Sequence, residues 1–286
     1  MLVLTAVSAL GALTFLLASA LVAADRKLRV DEDPRIDAVE DMLPHANCGA
    51  CGYPGCRPFA EALVAGAALP GRCTVSDDAG RARIAAFLGV DVGVQEKVVA
   101  RLACAGGTNV ARLRARYVGP RSCAAAALVA GGGRGCDWGC LGFADCAEAC
   151  DFDAIHMDAH SLPVVDEDLC TACGDCVEAC PKDLFSLHPV SHRLWVACRS
   201  LAAGDGVLAD CEVACTACGR CAKDAPGVVA MRENLPVIDY TRPLSRVAIE
   251  RCPTGAIVWL EPGGVTVRGP AARLPIRRGA APPAPT

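Results

Sequence analysis

The sequence contains a run of four cysteines closed by a proline, Cys170-Thr171-Ala172-Cys173-Gly174-Asp175-Cys176-Val177-Glu178-Ala179-Cys180-Pro181. Thiols separated by two residues are poorly placed to form disulfides with one another and well placed to converge on one inorganic centre. This spacing is typical of a [4Fe–4S] site in which the fourth cysteine of one run ligates the cluster of a second run. The run therefore predicts a partner run elsewhere in the chain.

The partner run lies upstream, at Cys136, Cys140, Cys146 and Cys150. Exchange of the fourth ligands, as in bacterial ferredoxins, predicts one cluster on Cys150, Cys170, Cys173 and Cys176. The other cluster would be held by Cys140, Cys146, Cys180 and one more ligand. Phe143 occupies the position of the middle cysteine. Cys136, one helical turn before Cys140, is the nearest candidate for that ligand.

A third run contains Cys215, Cys218 and Cys221, but Ala225 occupies its fourth position. Residues 242–248, where a partner run would stand, contain no cysteine, although Cys252-Pro253 follows them. By the exchange rule the missing thiols would all serve one cluster. The pattern therefore predicts a module with a single cluster on Cys215, Cys218, Cys221 and Cys252.

A fourth quartet precedes these runs, at Cys48, Cys51, Cys56 and Cys73, and glycines lie between its first three members. Glycine allows backbone N–H groups to approach cluster sulfurs. Zinc is the alternative bound metal. Zinc sites usually pair two CxxC units, however, so the spacing favours a [4Fe–4S] cluster. Ser76 is expected to cap a helix that ends at Leu88 and Gly89. This part predicts a small separate domain.

The first 24 residues carry no charge. A helix of that length spans about 36 Å, which exceeds a hydrocarbon core of about 30 Å. A cleaved signal peptide is the alternative, but no basic segment precedes the apolar run. Arg26, Lys27 and Arg29 follow it, and basic residues at this position favour a cytoplasmic location for everything downstream. A reducing compartment agrees with the abundance of thiolate ligands.

We therefore expect an α+β chain. Its parts are a transmembrane anchor (1–24), a [4Fe–4S] domain (33–92), a connector (93–134), a dicluster ferredoxin-like module (135–198), a second ferredoxin-like module with one cluster lost (199–268) and a Pro/Ala-rich tail (269–286). Each half-module should form a β-hairpin after its cysteines, at residues 154–165, 184–196, 228–238 and 256–267.

Four of the 20 cysteines belong to no predicted quartet: Cys104, Cys123, Cys198 and Cys211. Buried thiols acting as small apolar side chains are the simplest interpretation. Cys211 precedes Cys215 by the same offset as Cys136 precedes Cys140, which hints at a shared element. No catalytic residue and no cofactor ligand beyond the cluster cysteines is predicted, because dinucleotide, phosphate-loop and triad motifs are missing. The chain should carry about four [4Fe–4S] clusters and transfer electrons.

A family resemblance follows from these motifs. The uncharged N-terminal helix, the segment Asn47-Cys48-Gly49-Ala50-Cys51-Gly52-Tyr53-Pro54-Gly55-Cys56 with Cys73, and the runs at Cys140 and Cys170 occur in this order. The chain resembles the B subunit of the Rnf complex, the ion-translocating ferredoxin:NAD oxidoreductase of bacterial inner membranes. The resemblance implies a single-pass subunit with cytoplasmic domains, within a translocase.

The same resemblance implies that this subunit takes electrons from soluble ferredoxin and passes them to other subunits. The missing cluster of the second module is the departure from the longer versions of the family. An anchored polyferredoxin that feeds a dehydrogenase or a sulfur-compound reductase is the alternative, and a structural zinc protein is a third. The net charge of −4, with both signs interspersed, argues against nucleic acid as a partner.

Overall fold

The computed structural model of the protein describes residues 2–28 and 33–273 and combines helices with short strands. The helices are α1 (Leu2–Leu28), α2 (Pro34–Met42), α3 (Cys56–Val64), α4 (Asp78–Leu88), α5 (Cys123–Ala127), α6 (Asp145–Glu148), α7 (Asp175–Glu178), α8 (Arg220–Asp224) and α9 (Val247–Glu250). The strands are β1 (Val98–Leu102), β2 (Ile155–Met157), β3 (Pro163–Val165), β4 (Phe185–Pro189), β5 (Leu194–Val196), β6 (Val229–Arg232), β7 (Leu235–Ile238), β8 (Ile257–Leu260) and β9 (Thr266–Val267). Arg29 and residues 274–286 of the predicted tail lie outside the described residues.

Helix α1 stands apart from the rest of the protein. Its segment Val7–Lys27 is long and apolar enough to cross a membrane, and none of it is buried against the other described residues. Arg26 and Lys27 lie in its last turn, where cations interact favourably with the helix dipole. A helix of this length and apolar character is a candidate membrane span.

The small N-terminal domain packs α2, α3 and α4 around an apolar core that includes Val39, Phe59, Leu63 and Ile84. The predicted helix after Cys73 is present, but its cap is Asp77, whose carboxylate accepts a 2.7 Å hydrogen bond from the Gly80 N–H. Ser76 is therefore not the cap. Gly89 ends the helix at φ +68°, a left-handed conformation that suits glycine.

The rest of the chain repeats one local unit. Each of α6, α7 and α8 begins after a residue in the left-handed region, namely Ala144, Gly174 and Gly219, at φ of +74°, +101° and +68°. Helix α6 packs against α7, and α8 packs against α9. This pairing of equivalent short helices is what the repeated cysteine runs predict.

Three of the four predicted hairpins are confirmed, since β2 pairs with β3, β6 with β7 and β8 with β9. The hairpin predicted over residues 184–196 is wrong. Strand β4 instead pairs antiparallel with β1, with Leu102 opposite Phe185. Strand β5 pairs with β8, with Leu194 opposite Trp259. The unpaired edge of a strand can pair with any strand that tertiary packing places beside it. Here the partners of β4 and β5 are β1 and β8, which come from distant parts of the sequence.

Residues 93–134 therefore do more than connect. They supply β1, whose Arg101 is buried and forms an ion pair with Glu167, just ahead of the Cys170 run. The N–H of Ala100 also approaches the sulfur of Cys170 at 3.4 Å. In the same way β5, from the segment 135–198, completes a three-stranded sheet with β8 and β9. The parts that we expected to be separate modules share strands.

The position of the predicted missing cluster is filled by apolar side chains. Ala225, at the vacant fourth position, lies in one buried group with Ala248 and Ile249 of α9 and with Leu194 and Ile257 of the adjoining sheet. Ala248 is 0% exposed and Ala225 is 8% exposed. Close-packed alanine, leucine and isoleucine leave an ordinary hydrophobic core where thiols would otherwise converge.

Candidate iron–sulfur sites

The first quartet, Cys48, Cys51, Cys56 and Cys73, lies at the edge of the small domain. Cys51, Cys56 and Cys73 pack against its apolar core. Burial raises the pKa of the Cys51 thiol, and the neighbouring thiols of Cys73 and Cys48 add to that effect. Cys56 is also the first residue of α3, so the helix fixes one sulfur relative to the core.

Two side chains order the loop of this quartet. The Asn47 side-chain oxygen accepts a 2.8 Å hydrogen bond from the Cys56 N–H, which ties the start of the loop to its end. The Ser76 hydroxyl donates to the buried sulfur of Cys73 at 3.2 Å. Ser76 thus forms a hydrogen bond with the Cys73 thiol and does not cap α4. Hydrogen bonds to cluster sulfurs are one of the means by which a protein adjusts a reduction potential.

The second quartet, Cys150, Cys170, Cys173 and Cys176, lines one cavity of about 320 Å³. The cavity is otherwise mainly apolar, with Ala100, Phe152 and Ile155 in its wall. Burial, with contributions from the thiols of Cys170 and Cys173, raises the pKa of the Cys176 thiol to about 12. Cys150 comes from the upstream run, so this is the exchanged arrangement that the spacing predicts.

A second cavity of about 320 Å³ is lined by Cys140, Cys146 and Cys180 together with Cys123. Cys136, the ligand that the spacing suggested, lines a neighbouring cavity, which Cys140 also lines. Burial, followed by the nearby Cys123 and Cys180 thiols, raises the pKa of Cys146 to about 12. The fourth thiol of this group comes from the segment that we interpreted as a connector.

Asp145 explains how a distant cysteine reaches this cavity. Its carboxylate accepts hydrogen bonds from the N–H groups of Cys123, at 2.6 Å, and Ala124, at 3.0 Å, and from the Ser122 hydroxyl at 2.9 Å. It thereby fastens the start of α5 to the start of α6, which carries Cys146. Burial acts to raise the pKa of Asp145, but these donors hold it below its usual value.

The third run brings together Cys215, Cys218, Cys221 and Cys252. Burial raises the pKa of Cys221 to about 11, and the thiols of Cys252 and Cys218 add to the shift. Cys221 and Cys252 pack against the apolar core that replaces the missing cluster. Cys218 is exposed, so this quartet reaches the protein surface.

Cys104, Cys136, Cys198 and Cys211 line a further cavity, which Cys140 of the neighbouring group also lines. Burial raises the pKa of Cys211 to about 12, with contributions from the Cys104, Cys136 and Cys198 thiols. The cysteine spacing assigned three of these residues, Cys104, Cys198 and Cys211, to no quartet. The equal offset of Cys136 and Cys211 from the next cysteine was the one signal in the sequence that relates them.

Each group offers four thiols, which is the donor set of a [4Fe–4S] cluster. In the parts of the chain that the structure describes, no three His, Cys, Asp or Glu side chains lie close enough to share one metal ion. The thiolates of a [4Fe–4S] cluster bind four different iron atoms, so they stand further apart than the ligands of a single ion.

Comparison with known protein families gives two matches. A family model named FeS, for an Fe–S cluster, matches residues 43–75, which include the first quartet. A 4Fe-4S binding domain model, Fer4, matches residues 163–185, which include the Cys170 run. Two iron–sulfur segments are thereby recognised on independent grounds.

Curated relatives extend over most of the chain. The B subunit of the Na⁺-translocating ferredoxin:NAD⁺ oxidoreductase complex of Acetobacterium woodii is 38% identical over 213 residues, 74% of this chain and 64% of that protein. The B subunit of the ion-translocating oxidoreductase complex of Methanosarcina acetivorans is 36% identical over 256 residues, 89% of this chain and 97% of that protein.

A third relative is the B subunit of the proton-translocating ferredoxin:NAD⁺ oxidoreductase complex of Clostridium ljungdahlii. It is 37% identical over 238 residues, 82% of this chain and 84% of that protein. The apolar N-terminal helix, the two iron–sulfur segments and these relatives lead to one conclusion. The chain belongs to the family of B subunits of ion-translocating oxidoreductase (Rnf) complexes.

Proposed function

We propose that this subunit accepts electrons from soluble ferredoxin and passes them through a series of [4Fe–4S] clusters to other subunits of a membrane redox complex, which couples the flow to ion movement. The observation that carries the proposal is that three of the cysteine groups adjoin one another, through the Thr74–Thr171 hydrogen bond and the packing of α6 on α7. Electron transfer needs clusters at short range, and a buried path of neighbouring groups provides this.

Four groups are proposed as ligands in this relay. They are Cys48, Cys51, Cys56 and Cys73; Cys150, Cys170, Cys173 and Cys176; Cys123, Cys140, Cys146 and Cys180; and Cys215, Cys218, Cys221 and Cys252. The second and third groups would form a dicluster ferredoxin-like module, and the fourth a ferredoxin-like module with one cluster. Cys123 takes the role that the spacing suggested for Cys136, because it lines the same cavity as Cys140, Cys146 and Cys180.

The first two groups are joined through their neighbouring residues. The Thr74 hydroxyl, next to Cys73, donates a 2.7 Å hydrogen bond to the carbonyl of Thr171, next to Cys170. The second and third groups meet where α6 packs on α7, since α6 carries Cys146 and α7 carries Cys176. These contacts support a path from the small domain into the centre of the protein.

The protein residues hold and tune the sites. When bound, a [4Fe–4S] cluster accepts and releases one electron at a time. The thiols of Cys140, Cys146 and Cys176 are buried, so they are shielded from water and lose their protons only when metal replaces them. Donors such as the Ala100 N–H, which approaches the Cys170 sulfur, stabilise the more reduced and more negative state and so raise the potential.

Helix α1 is proposed as a single membrane anchor in a bacterial inner membrane. Its apolar, exposed surface supports insertion, and Arg26 and Lys27 at its end favour a cytoplasmic location for the remaining domains. The clusters would then face soluble ferredoxin on the cytoplasmic side and the other subunits at the membrane.

The test uses the full chain, purified anaerobically and mixed in a stopped-flow instrument with a reduced bacterial ferredoxin. We expect the visible absorption of the chain to bleach and the ferredoxin to be oxidised in proportion. The variant Cys176→Ala should lose about four Fe and take up correspondingly fewer electrons. An exposed substitution, Glu178→Gln, is the control. A chain with a full complement of iron that ferredoxin does not reduce would contradict the proposal.

A further inference from the structure

The four cysteines outside the proposed relay converge from four separate segments. Cys104 follows β1, Cys136 precedes the Cys140 loop, Cys198 follows β5 and Cys211 precedes the Cys215 run. All four, together with Cys140 of the neighbouring group, line the cavity between these segments.

The sulfurs point at a common space. A Cβ atom built on Gly106 would lie 3.2 Å from the Cys211 sulfur and 3.6 Å from the Cys104 sulfur. Any side chain at this position would enter the space between the two thiols. Glycine at position 106 thus keeps open the part of the cavity that a bound group would use.

Backbone N–H groups surround these sulfurs. Cys104 accepts from Gly106 at 3.4 Å and from Cys140 at 3.5 Å. Cys198 accepts from Ser200 at 3.5 Å and from Cys215 at 3.3 Å. A neutral thiol is a weak acceptor, whereas a metal-bound thiolate is a good one. Four donors aimed at two sulfurs are the arrangement expected around cluster ligands.

A buried cation supplies an independent observation. Arg134 lines the same cavity, is only 6% exposed, and its Nη1 atom has no hydrogen-bond partner among the residues that the structure describes. A buried charge is strongly destabilising unless an opposite charge compensates it. A cluster with four thiolate ligands carries net negative charge. Such a group would neutralise the guanidinium.

We infer that Cys104, Cys136, Cys198 and Cys211 bind a fifth iron–sulfur cluster of the [4Fe–4S] class. Every one of the 20 cysteines in the sequence then has a place in one of five quartets. A tertiary contact helps to assemble this site. The Trp195 indole N–H in β5 donates a 2.8 Å hydrogen bond to the carbonyl of Leu102 at the end of β1, which holds the segments of Cys104 and Cys198 side by side.

The site lies between two groups of the relay. One of the two N–H groups that donate to the Cys104 sulfur belongs to Cys140, and one of the two that donate to the Cys198 sulfur belongs to Cys215. Each of these donors is a proposed ligand of a neighbouring cluster. The role of the site therefore rests on the proposed function: one electron enters from one neighbour, one leaves to the other, and no bond or proton is exchanged.

The binding test is iron analysis of the anaerobically purified full chain, with quantitation of the EPR signal after reduction. Five clusters predict about 20 Fe per chain. Cys211→Ala should lose about four Fe, and so should Gly106→Val, which keeps every thiol but fills the space between two of them. Two double variants distinguish this site from the Cys146 site. Cys136→Ala with Cys211→Ala should lose about four Fe, because both thiols serve one cluster. Cys136→Ala with Cys146→Ala should lose about eight Fe, because the thiols serve two clusters.

Folding is monitored through the remaining clusters, whose EPR signal should be retained in Cys211→Ala. About 16 Fe in the unaltered chain, or about 16 Fe with one zinc ion, would overturn the inference. So would a loss of about four Fe, rather than eight, in Cys136→Ala with Cys146→Ala. If the chain holds about 20 Fe but ferredoxin does not reduce it, the proposed function fails and the site remains. If the chain holds about 16 Fe and is reduced, the site fails and the function remains.

Discussion

The Thr74 hydroxyl donates a 2.7 Å hydrogen bond to the backbone carbonyl of Thr171. Each residue is the chain neighbour of a proposed cluster ligand, Cys73 on one side and Cys170 on the other. The bond is partly buried, and Thr171 is only 8% exposed. It joins the small N-terminal domain to the central part of the protein directly beside two of their cysteine groups.

Replacement of Thr74 by valine should keep the shape of the side chain and remove this bond. We expect the free energy of unfolding to fall by about 1 kcal/mol, the iron content to stay unchanged and electron exchange between the first two groups to slow. Freeze-quench EPR after mixing with reductant measures the exchange. Thr266→Val, on the exposed face of β9, is the control. An unchanged rate in Thr74→Val would show that this hydrogen bond does not contribute to electron exchange between the first two groups.

The place of Cys123 can be tested against that of Cys136. Cys123→Ala should lose about four Fe, and the double variant Cys123→Ala with Cys146→Ala should lose no more, because both thiols would serve one cluster. Iron analysis with size-exclusion chromatography provides the measurement. A further loss of about four Fe in the double variant would separate Cys123 from the Cys146 site.

Asp145 positions Cys123 through its hydrogen bonds to the start of α5. Asp145→Ala should lower the free energy of unfolding by about 1 to 2 kcal/mol, because the acceptors for the first N–H groups of α5 and for the hydroxyl of its cap, Ser122, are lost. Asp145→Asn retains one acceptor oxygen and should cost less. Denaturant titration of the anaerobic protein is the measurement, and equal effects of the two variants would argue against a capping role.

Arg101 and Glu167 form a buried ion pair, with 8% and 11% of their side chains exposed. Arg101→Met leaves the Glu167 carboxylate buried without its partner and should cost about 3 to 5 kcal/mol, measured by denaturant titration. Arg101→Met combined with Glu167→Gln should recover a large part of this loss, since no charge remains buried. If the double variant is as unstable as Arg101→Met, the pair is not what holds β1 in place.

Ala225 occupies the position at which we propose that the second module lacks a cluster. Ala225→Cys should add no iron, because residues 242–248 supply no thiols and Ala248 and Ile249 fill the space. Iron analysis compared with the unaltered chain tests this. A gain of about four Fe would mean that the core around Ala225 opens to admit a cluster.

The contiguous cysteine runs could be predicted from the chain because their geometry is local. A backbone that separates Cys170, Cys173 and Cys176 by two residues each brings the thiols together with little help from the rest of the fold, and left-handed residues such as Gly174 set the turn. The apolar N-terminal span is equally local, since length and composition decide it. The repeat of the two runs also predicts that Cys150, the last cysteine of the upstream run, joins the group of Cys170, Cys173 and Cys176.

The site of Cys123 and the fifth quartet could not be derived in this way. Cys104 and Cys198 follow strands whose partners, β4 and β8, depend on which edges meet in the folded protein. Cys123 reaches Cys146 only because Asp145 holds two distant helix ends together. Composition and spacing are thus sufficient for the anchor, the repeated units and the thiols that lie close along the chain. The grouping of the scattered thiols depends on the folded chain, because long-range strand pairing and side-chain hydrogen bonds are properties of the assembled core.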